Sequence, residues 1–165
     1  MDSIPAEEKI VIVNDGIGMG KALNMGLSMA SGEYLIVSNN DVVLKGDLGR
    51  MFDPEGVTYP KDMEGSRDHP RSFYCMPRWV YEAVGGYDEL FEFAFFEDDD
   101  LIKRWLDADI PLKRIDIQIQ HIPGTTLNVH PKREEVFKAN RQKFIEKWGG
   151  LPHEVFDIKG KLKNE

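Results

Sequence analysis

The spacing of apolar residues divides the start of the chain into a strand, a helix and a second strand. The run KIVIV at residues 9–13 is rich in β-branched residues without polar alternation, which is typical of a strand covered on both faces. From Gly18 to Ala30 apolar residues recur at helical spacing, and the run YLIV follows at residues 34–37. This pattern predicts a strand, helix, strand unit over residues 9–38.

The pattern continues with alternating strands and helices along the rest of the chain. Five further elements are predicted: a strand at 72–76, a helix from Pro77, a helix at 97–108, a strand at 112–122 and a helix at 131–148. Residues 45–70, in which Gly, Pro, Asp and Lys recur, predict no clear element, and the stretch MEGSRDHP at 63–70 within them predicts a mobile surface loop. These elements indicate a single domain over residues 1–165, with a core at about 9–149 and a polar tail at 150–165.

Composition and charge indicate a soluble domain and argue against some classes of function. Hydrophobic residues make up 41% of the chain and charged residues 30%, which is ordinary for a soluble domain. The net charge of -8 argues against a nucleic-acid-binding protein, but a bound metal ion can still supply the local positive charge that an anionic ligand needs. With a single cysteine, no apolar run of about 20 residues and no signal-peptide profile, the sequence predicts a cytoplasmic protein without a transmembrane segment.

Acidic and aromatic residues concentrate at the start of the helix predicted at 97–108. Glu97 and Asp98 lie one turn before apolar helix residues, so they are predicted to face inward. Asp99 and Asp100 each have a cation four residues later, which predicts a solvated face. An inward carboxylate beside four phenylalanines and a Gly-Gly turn is a candidate general base for a hydroxyl. An acidic helix cap explains the same residues.

Polar residues at the end of the strand at 34–37 suggest a ligand site. Ligands gather at the carboxyl ends of strands in open α/β sheets, and this strand ends in SNNDVV. Asp41 and Asn39 offer the oxygen atoms that a hard divalent cation prefers, although an Asn-Asp turn accounts for them as well. The three glycines before Lys21 do not have the Gly-x-Gly-x-x-Gly spacing, which argues against an NAD site.

Three segments together resemble the family 2 glycosyltransferases of the GT-A fold: NDGIGMGKALNMGLSMASGEYLIV, SNNDVV, and GGYDE followed by EDDDL. The resemblance implies a Rossmann-like three-layer α/β/α sandwich with a mostly parallel mixed sheet. It implies inverting transfer of a sugar from a nucleotide-diphosphate sugar, with UDP-sugar favoured, to a glycan or other hydroxyl acceptor. The base that it implies is Asp98, with Glu97 beside it, and the register that would make Asp99 the base stays open.

The same resemblance assigns roles to the remaining polar positions. It implies a Mn²⁺ or Mg²⁺ ion held by Asp41, Asn39 and His121, with His130 as the alternative to His121 in the same loop. For Lys21 two interpretations stay open: the resemblance implies contact with the diphosphate of the donor, and a solvated position on the helix explains it as well. The nucleotide-sugar positions that it implies are Asp15, Lys21, Asn39, Asn40, Gly86 and Tyr87.

The resemblance starts at what corresponds to the third strand of the family, so the chain is expected to be a short form that lacks the usual first strands. Either it is a minimal enzyme with an altered nucleotide pocket, or a second copy of the chain completes the pocket in a homo-oligomer. Two other classes of function stay open. One is a catalytically inactive remnant that binds a nucleotide or a glycan, and the other is a metal-dependent nucleotidyltransferase.

Overall fold

The chain alternates helices with the strands of one mixed sheet. A computed structural model describes residues 6–62, 70–121 and 131–157, together with the backbone of 162–164. Its elements are α1 (Met19–Met29), β1 (Tyr34–Ser38), β2 (Val42–Leu44), a 3₁₀ helix (Leu48–Met51), β3 (Val57–Asp62), β4 (Phe73–Pro77), α2 (Arg78–Val84), α3 (Glu97–Asp107), β5 (Leu112–His121), α4 (Arg133–Trp148), α5 (Pro152–Val155) and β6 (Leu162–Asn164). The predicted α/β class is therefore confirmed.

The strands are ordered β1-β4-β3-β5-β2, and β6 pairs with the start of β5. Among the described strand pairs, β3 with β5 and β5 with β6 are parallel, whereas β1 with β4, β3 with β4 and β2 with β5 are antiparallel. The prediction of a mostly parallel sheet is therefore wrong. Residues 63–72 join β3 to β4, and this link is shorter than the dozen or so residues that a parallel crossover requires.

The first predicted strand does not form. Residues 9–13 are not part of the sheet, and Val11 and Val13 are 56% and 82% exposed. The segment lies against α1 instead, because a Cβ added to Gly26 would sit 3.6 Å from Cγ1 of Ile12. A β-branched run favours extended backbone, but it does not determine which strand the segment pairs with.

The centre of the sheet lies in a segment for which the sequence predicted no clear element. The 3₁₀ helix and β3 both fall within residues 45–70. Pro60 argues against a strand in the sequence, because proline cannot donate a hydrogen bond to a neighbouring strand. In the structure Pro60 nevertheless pairs in register with Ile115 of β5. Thr58 of β3 is buried and donates its hydroxyl to the carbonyl of Met51. Residues 63–69 of the predicted loop lie outside the described residues.

Two hydrophobic clusters lie on the two faces of the sheet. One joins β1, β3 and β4 to side chains of α1, α2 and α3, and includes Leu27, Val80 and Trp105. The other joins β2, β4 and β5 to the 3₁₀ helix. Within the described residues no α-helix contributes to this second cluster, so the predicted three-layer arrangement is not confirmed. None of the described helices combines the length and the apolar character needed to cross a membrane.

Cys75 lies in the middle of β4, between β1 and β3. Its backbone is in register with Ile36 of β1 on one side and Thr58 of β3 on the other. The side chain is 1% exposed and belongs to the second cluster. Burial raises the pKa of the Cys75 thiol to about 12, because an apolar environment disfavours the thiolate.

Candidate active site

Four consecutive carboxylates form the first turn of α3. Glu97 is 4% exposed, Asp99 is 8% exposed and Asp100 is 0% exposed, whereas Asp98 is half-buried. The free N–H groups and the dipole at this end of the helix favour negative charge. The predicted inward position of Glu97 is confirmed by its burial, but Asp98, predicted to face inward with it, is the least buried of the four. The predicted solvation of Asp99 and Asp100 is wrong.

Asp99 is covered by a residue from another part of the chain. Arg71, just before β4, forms an ion pair with Asp99 through Nη2. Lys103, which lies four residues after Asp99, pairs instead with Asp107 one turn further along the helix. Spacing along a helix predicts neighbours on that helix only, so the sequence did not place Arg71 over the first turn.

Asp100 is the most enclosed of the four carboxylates. It pairs with Arg104 four residues later, as the helical spacing predicts, through Arg104 Nε at 2.8 Å. The end of α4 supplies two more donors, Lys147 Nζ at 2.5 Å and Trp148 Nε1 at 2.9 Å. Arg104 also donates to the carbonyl of Gly86 at 2.7 Å. This carboxylate therefore connects α3 and α4 with the turn at Gly86, through Arg104.

Glu97 and Asp98 form a pair of carboxyl groups that resist ionisation. Burial is the main cause that raises the pKa of Asp98 to about 7, opposed by Arg71 and reinforced by Asp99. Burial and then the charge of Asp98 raise the pKa of Glu97 well above its ordinary range. Glu97 Oε2 is buried and makes no hydrogen bond within the described residues. Near neutral pH the pair therefore titrates jointly, with Asp98 suited to accept a proton.

The turn at Gly86 and Tyr87 precedes the phenylalanine-rich loop at residues 91–96, the aromatic loop, and is held by α1. Asn24 accepts a hydrogen bond from Tyr87 N at 2.7 Å and donates to Tyr87 O at 2.8 Å. A Cβ on Gly86 would lie 2.2 Å from Asn24 Oδ1, so this position requires glycine. Tyr87 is buried, with its hydroxyl 2.9 Å from that of Tyr74. Gly86 and Tyr87, which the resemblance assigned to the nucleotide sugar, are thus placed in the packed support of the acidic turn.

The aromatic loop at residues 91–96 has a strained backbone. Phe93, Phe95 and Phe96 have φ values of 66, 76 and 71°. Left-handed backbone at a residue with a bulky side chain costs on the order of 1–3 kcal/mol, and such strain clusters at functional sites. Phe96 is the N-cap of α3, so its backbone sets the direction in which the acidic turn begins.

The backbones of Asn39, Asp41 and His121, the predicted metal-ligand positions, lie at one end of the sheet. Asn39, Asn40 and Asp41 form the turn between β1 and β2, and Val42 is in register with His121 at the end of β5. Asn39 and Asp41 are half-buried, and their amide and carboxylate oxygens suit Mn²⁺ or Mg²⁺. Within the described side chains no three His, Cys, Asp or Glu residues are arranged to hold a metal ion, and the side chain of His121 lies outside them. The alternative ligand, His130, lies outside the described residues as well.

The same end of the sheet connects the turn to the acidic helix. The backbone N–H of Asn39 donates to the carbonyl of Ser72 at 2.9 Å, and Ser72 follows Arg71, the partner of Asp99. The candidate metal turn and the candidate base are thus linked through the start of β4. This link places both in one continuous region.

The remaining predicted donor-site residues are solvent-exposed. Asp15 lies in the bend before α1, Lys21 on the outer surface of α1, and Asn40 at the tip of its turn. The start of α1 contacts the aromatic loop, because Met19 N donates to Phe93 O at 2.6 Å. The structure therefore brings α1 close to the acidic turn, but it leaves Asp15 and Lys21 on the surface.

Sequence reasoning missed two residues that support the site, Arg71 and Asn140. No local pattern in the sequence links Arg71 to α3. Asn140 falls at helical spacing with Phe137 and Phe144 in the last helix, and it is 1% exposed in the structure. A polar residue in an otherwise apolar stripe was the available signal, because a buried amide requires hydrogen-bond partners.

The raised pKa of Asp98 predicts a stability that depends on pH. Folding raises this pKa from 3.8 to about 7, so between these values the native state holds a proton that the unfolded state has released. The contribution of Asp98 therefore makes the free energy of unfolding fall as pH rises across this window. We expect Asp98→Asn to flatten that profile and to stabilise the protein above pH 7, as measured by urea unfolding. A variant whose stability falls as steeply as that of the wild type would contradict the burial of this carboxyl.

Comparison with known proteins identifies the fold. No protein-family model matches the chain, and no curated protein matches its sequence. One similar solved structure is the catalytic domain of Drosophila beta1,4-galactosyltransferase 7 in complex with xylobiose, at 18% identity and a TM-score of 0.52, covering 71% of this chain and 58% of that chain. A mutant of that Drosophila enzyme in complex with manganese, UDP-Gal and xylobiose is similar at 15% identity and a TM-score of 0.51, with the same 71% and 58% coverage.

These similarities show a fold like that of a GT-A glycosyltransferase domain, as the sequence resemblance implied. The chain spans 58% of the length of the solved chains that it matches.

Proposed function

We propose that the chain is an inverting, metal-dependent glycosyltransferase that moves a sugar from a nucleotide-diphosphate sugar to a hydroxyl acceptor. The observation that carries the proposal is the half-buried Asp98, with a pKa of about 7, at the start of α3 in a glycosyltransferase-like fold. Its carboxyl changes charge near neutral pH, which suits a general base.

The mechanism is a direct displacement. Asp98 takes the proton of the acceptor hydroxyl, the hydroxyl oxygen forms a bond to the anomeric carbon, and the bond from that carbon to the diphosphate oxygen breaks. The electron pair of the broken bond leaves with the nucleoside diphosphate, and the configuration at the anomeric carbon inverts. Asp99 is less suited than Asp98 to act as the base, because Asp99 is already engaged by Arg71.

The divalent cation would be held by Asp41, Asn39 and His121 at the end of the sheet where β1 ends. Mn²⁺ or Mg²⁺ bound there would supply positive charge to the leaving diphosphate. The fit of these residues is supported by their donor atoms and by the register of Val42 with His121. A UDP-sugar donor is favoured by the similarity to a galactosyltransferase that was crystallised with manganese and UDP-Gal.

The neighbours of Asp98 tune the charge of the site. Arg71 lowers the pKa of Asp98, which keeps a fraction of the base ionised at neutral pH despite its burial. The charge of Asp98 in turn raises the pKa of Glu97, because two carboxylates in one buried space repel each other. Ionised Asp98 can then accept the proton of the acceptor hydroxyl.

The experiment that tests the donor site is calorimetric titration with UDP and UDP-Gal, with and without Mn²⁺. We expect binding that requires Mn²⁺ and that weakens at least about tenfold in Asp41→Ala, since one charged ligand of the cation is lost. The matched control is Glu33→Ala, an exposed acid at the opposite end of β1. Binding that is indifferent to both Mn²⁺ and Asp41→Ala would contradict the proposed metal site.

The same titration separates the alternative functions. Binding of a UDP-sugar without transfer to any hydroxyl acceptor would favour a catalytically inactive nucleotide-binding domain. A preference for nucleoside triphosphates over diphosphate sugars would favour a nucleotidyltransferase.

A further inference from the structure

Asn140 lies in the middle of α4 on its buried side, and its amide points at the backbone of the aromatic loop. Its Nδ2 lies 2.8 Å from Glu92 O, 2.7 Å from Ala94 O and 3.3 Å from Phe95 O. The amide group has two hydrogens, so it satisfies two of these carbonyls at a time. The residue is 1% exposed, which means that water does not compete for these bonds.

Of the carbonyls that Asn140 binds, that of Phe95 belongs to a left-handed residue, and those of Glu92 and Ala94 belong to residues next to one. Phe93 and Phe95 have left-handed backbone, and so does Phe96, which caps α3. Strained backbone of this kind persists only where the surrounding structure enforces it. The contact with Phe95 O is one residue before the cap and two residues before Glu97.

Other contacts of α4 reach the loop and α3 as well, including the ring of the cap residue Phe96, which packs on Phe137 and Phe144. Lys143 Nζ donates to Leu90 O at 2.9 Å, at the far end of the loop, and Lys147 and Trp148 bind Asp100 inside α3. The rings of Phe95 and Phe96 pack on Phe137 at 5.5 and 5.3 Å between centroids. Ring packing tolerates sliding, whereas hydrogen bonds to successive carbonyls fix backbone orientation.

We propose that Asn140 is a positioning residue that holds the aromatic loop in its strained form and so fixes where Glu97 and Asp98 sit. This inference rests on the proposed function for the role of Asp98 in catalysis. Its structural content, the dependence of the acidic turn on one amide of α4, holds for any ligand of the site.

The test compares Asn140→Leu, which keeps the volume but removes the donors, with the wild type. We expect the pKa of Asp98, followed by carboxyl ¹³C NMR, to fall by at least about one unit, since the released loop hydrates the carboxyl. We also expect at least about tenfold faster hydrogen exchange of the amides at 93–98. With a UDP-sugar, kcat falls about tenfold while KM for the donor stays within about twofold.

Gln142→Leu is the matched control, because Gln142 lies on the exposed face of the same helix and bonds only to Glu146 in the described structure. It should leave the Asp98 titration and the loop exchange unchanged. Should Asn140→Leu fail to fold, Asn140→Ser, which keeps one donor, takes its place with smaller shifts in the same directions.

An Asp98 titration and a loop exchange identical to those of the wild type, in a folded variant at position 140, would overturn the proposal. Both NMR and exchange readouts are independent of turnover. A shifted titration in a protein that transfers no sugar would therefore retain the positioning role and reject the proposed function.

Discussion

Asp98→Asn lowers kcat/KM for sugar transfer by about 10²–10⁴-fold, which is the usual contribution of a general base. The asparagine keeps the shape of the side chain but cannot take the proton from the acceptor hydroxyl. Initial rates with a UDP-sugar and Mn²⁺ measure the effect. Donor binding in the calorimeter should change little, because Asp98 acts on the acceptor rather than on the donor.

Asp107→Asn is the matched control, since Asp107 lies at the exposed end of the same helix and pairs with Lys103. Its rate should equal that of the wild type. In the wild type, kcat/KM should rise with pH through about 7 as Asp98 loses its proton, and this rise should be absent from the residual activity of Asp98→Asn. Equal rates for Asp98→Asn and the wild type would remove Asp98 from the mechanism.

Asp100→Asn lowers the free energy of unfolding by about 3 kcal/mol, at the lower end of the 3–5 kcal/mol typical for breaking a buried ion pair. Asp100 is 0% exposed, whereas the side chains of Arg104 and Lys147 are 20% and 27% exposed, so solvent partly screens the two cations left behind. Urea unfolding followed by tryptophan fluorescence measures the loss.

Asp107→Asn serves as the control here too, because an exposed ion pair contributes about 1 kcal/mol or less. If both variants lost the same stability, Asp100 could not be the carboxylate that joins α3 to α4.

The sequence predicted the helices well because their signal is local. Residues 97–108 were predicted to be helical and α3 spans Glu97–Asp107, since apolar residues at a spacing of three and four define a buried side within the segment itself. The strands depended on partners elsewhere in the chain. Residues 9–13 were predicted to be a strand, but they do not pair in the sheet. Pro60 argued against a strand at 57–62, which forms because it pairs with β4 and β5 elsewhere in the chain.

The candidate site divides in the same way. The burial of Glu97 followed from helical spacing, and the pairing of Asp100 with Arg104 followed from the same rule. Arg71 meets Asp99 across 28 residues and Lys147 meets Asp100 across 47, so no local pattern contains these contacts. The role of His121 came from resemblance alone, whereas that of Asp41 also followed from its place at the end of a strand. The register that sets Val42 opposite His121 depends on the sheet.

The buried thiol of Cys75 can report the rate at which the folded protein opens locally. A cysteine reacts with alkylating reagents as the thiolate, and a pKa of about 12 leaves almost none of it at neutral pH in the closed sheet. Reaction therefore requires that the second cluster open around Cys75, so that the 3₁₀ helix or the strands packed there move away from the thiol. The labelling rate of the unaltered chain, measured without denaturant, reports how often this face of the sheet is uncovered.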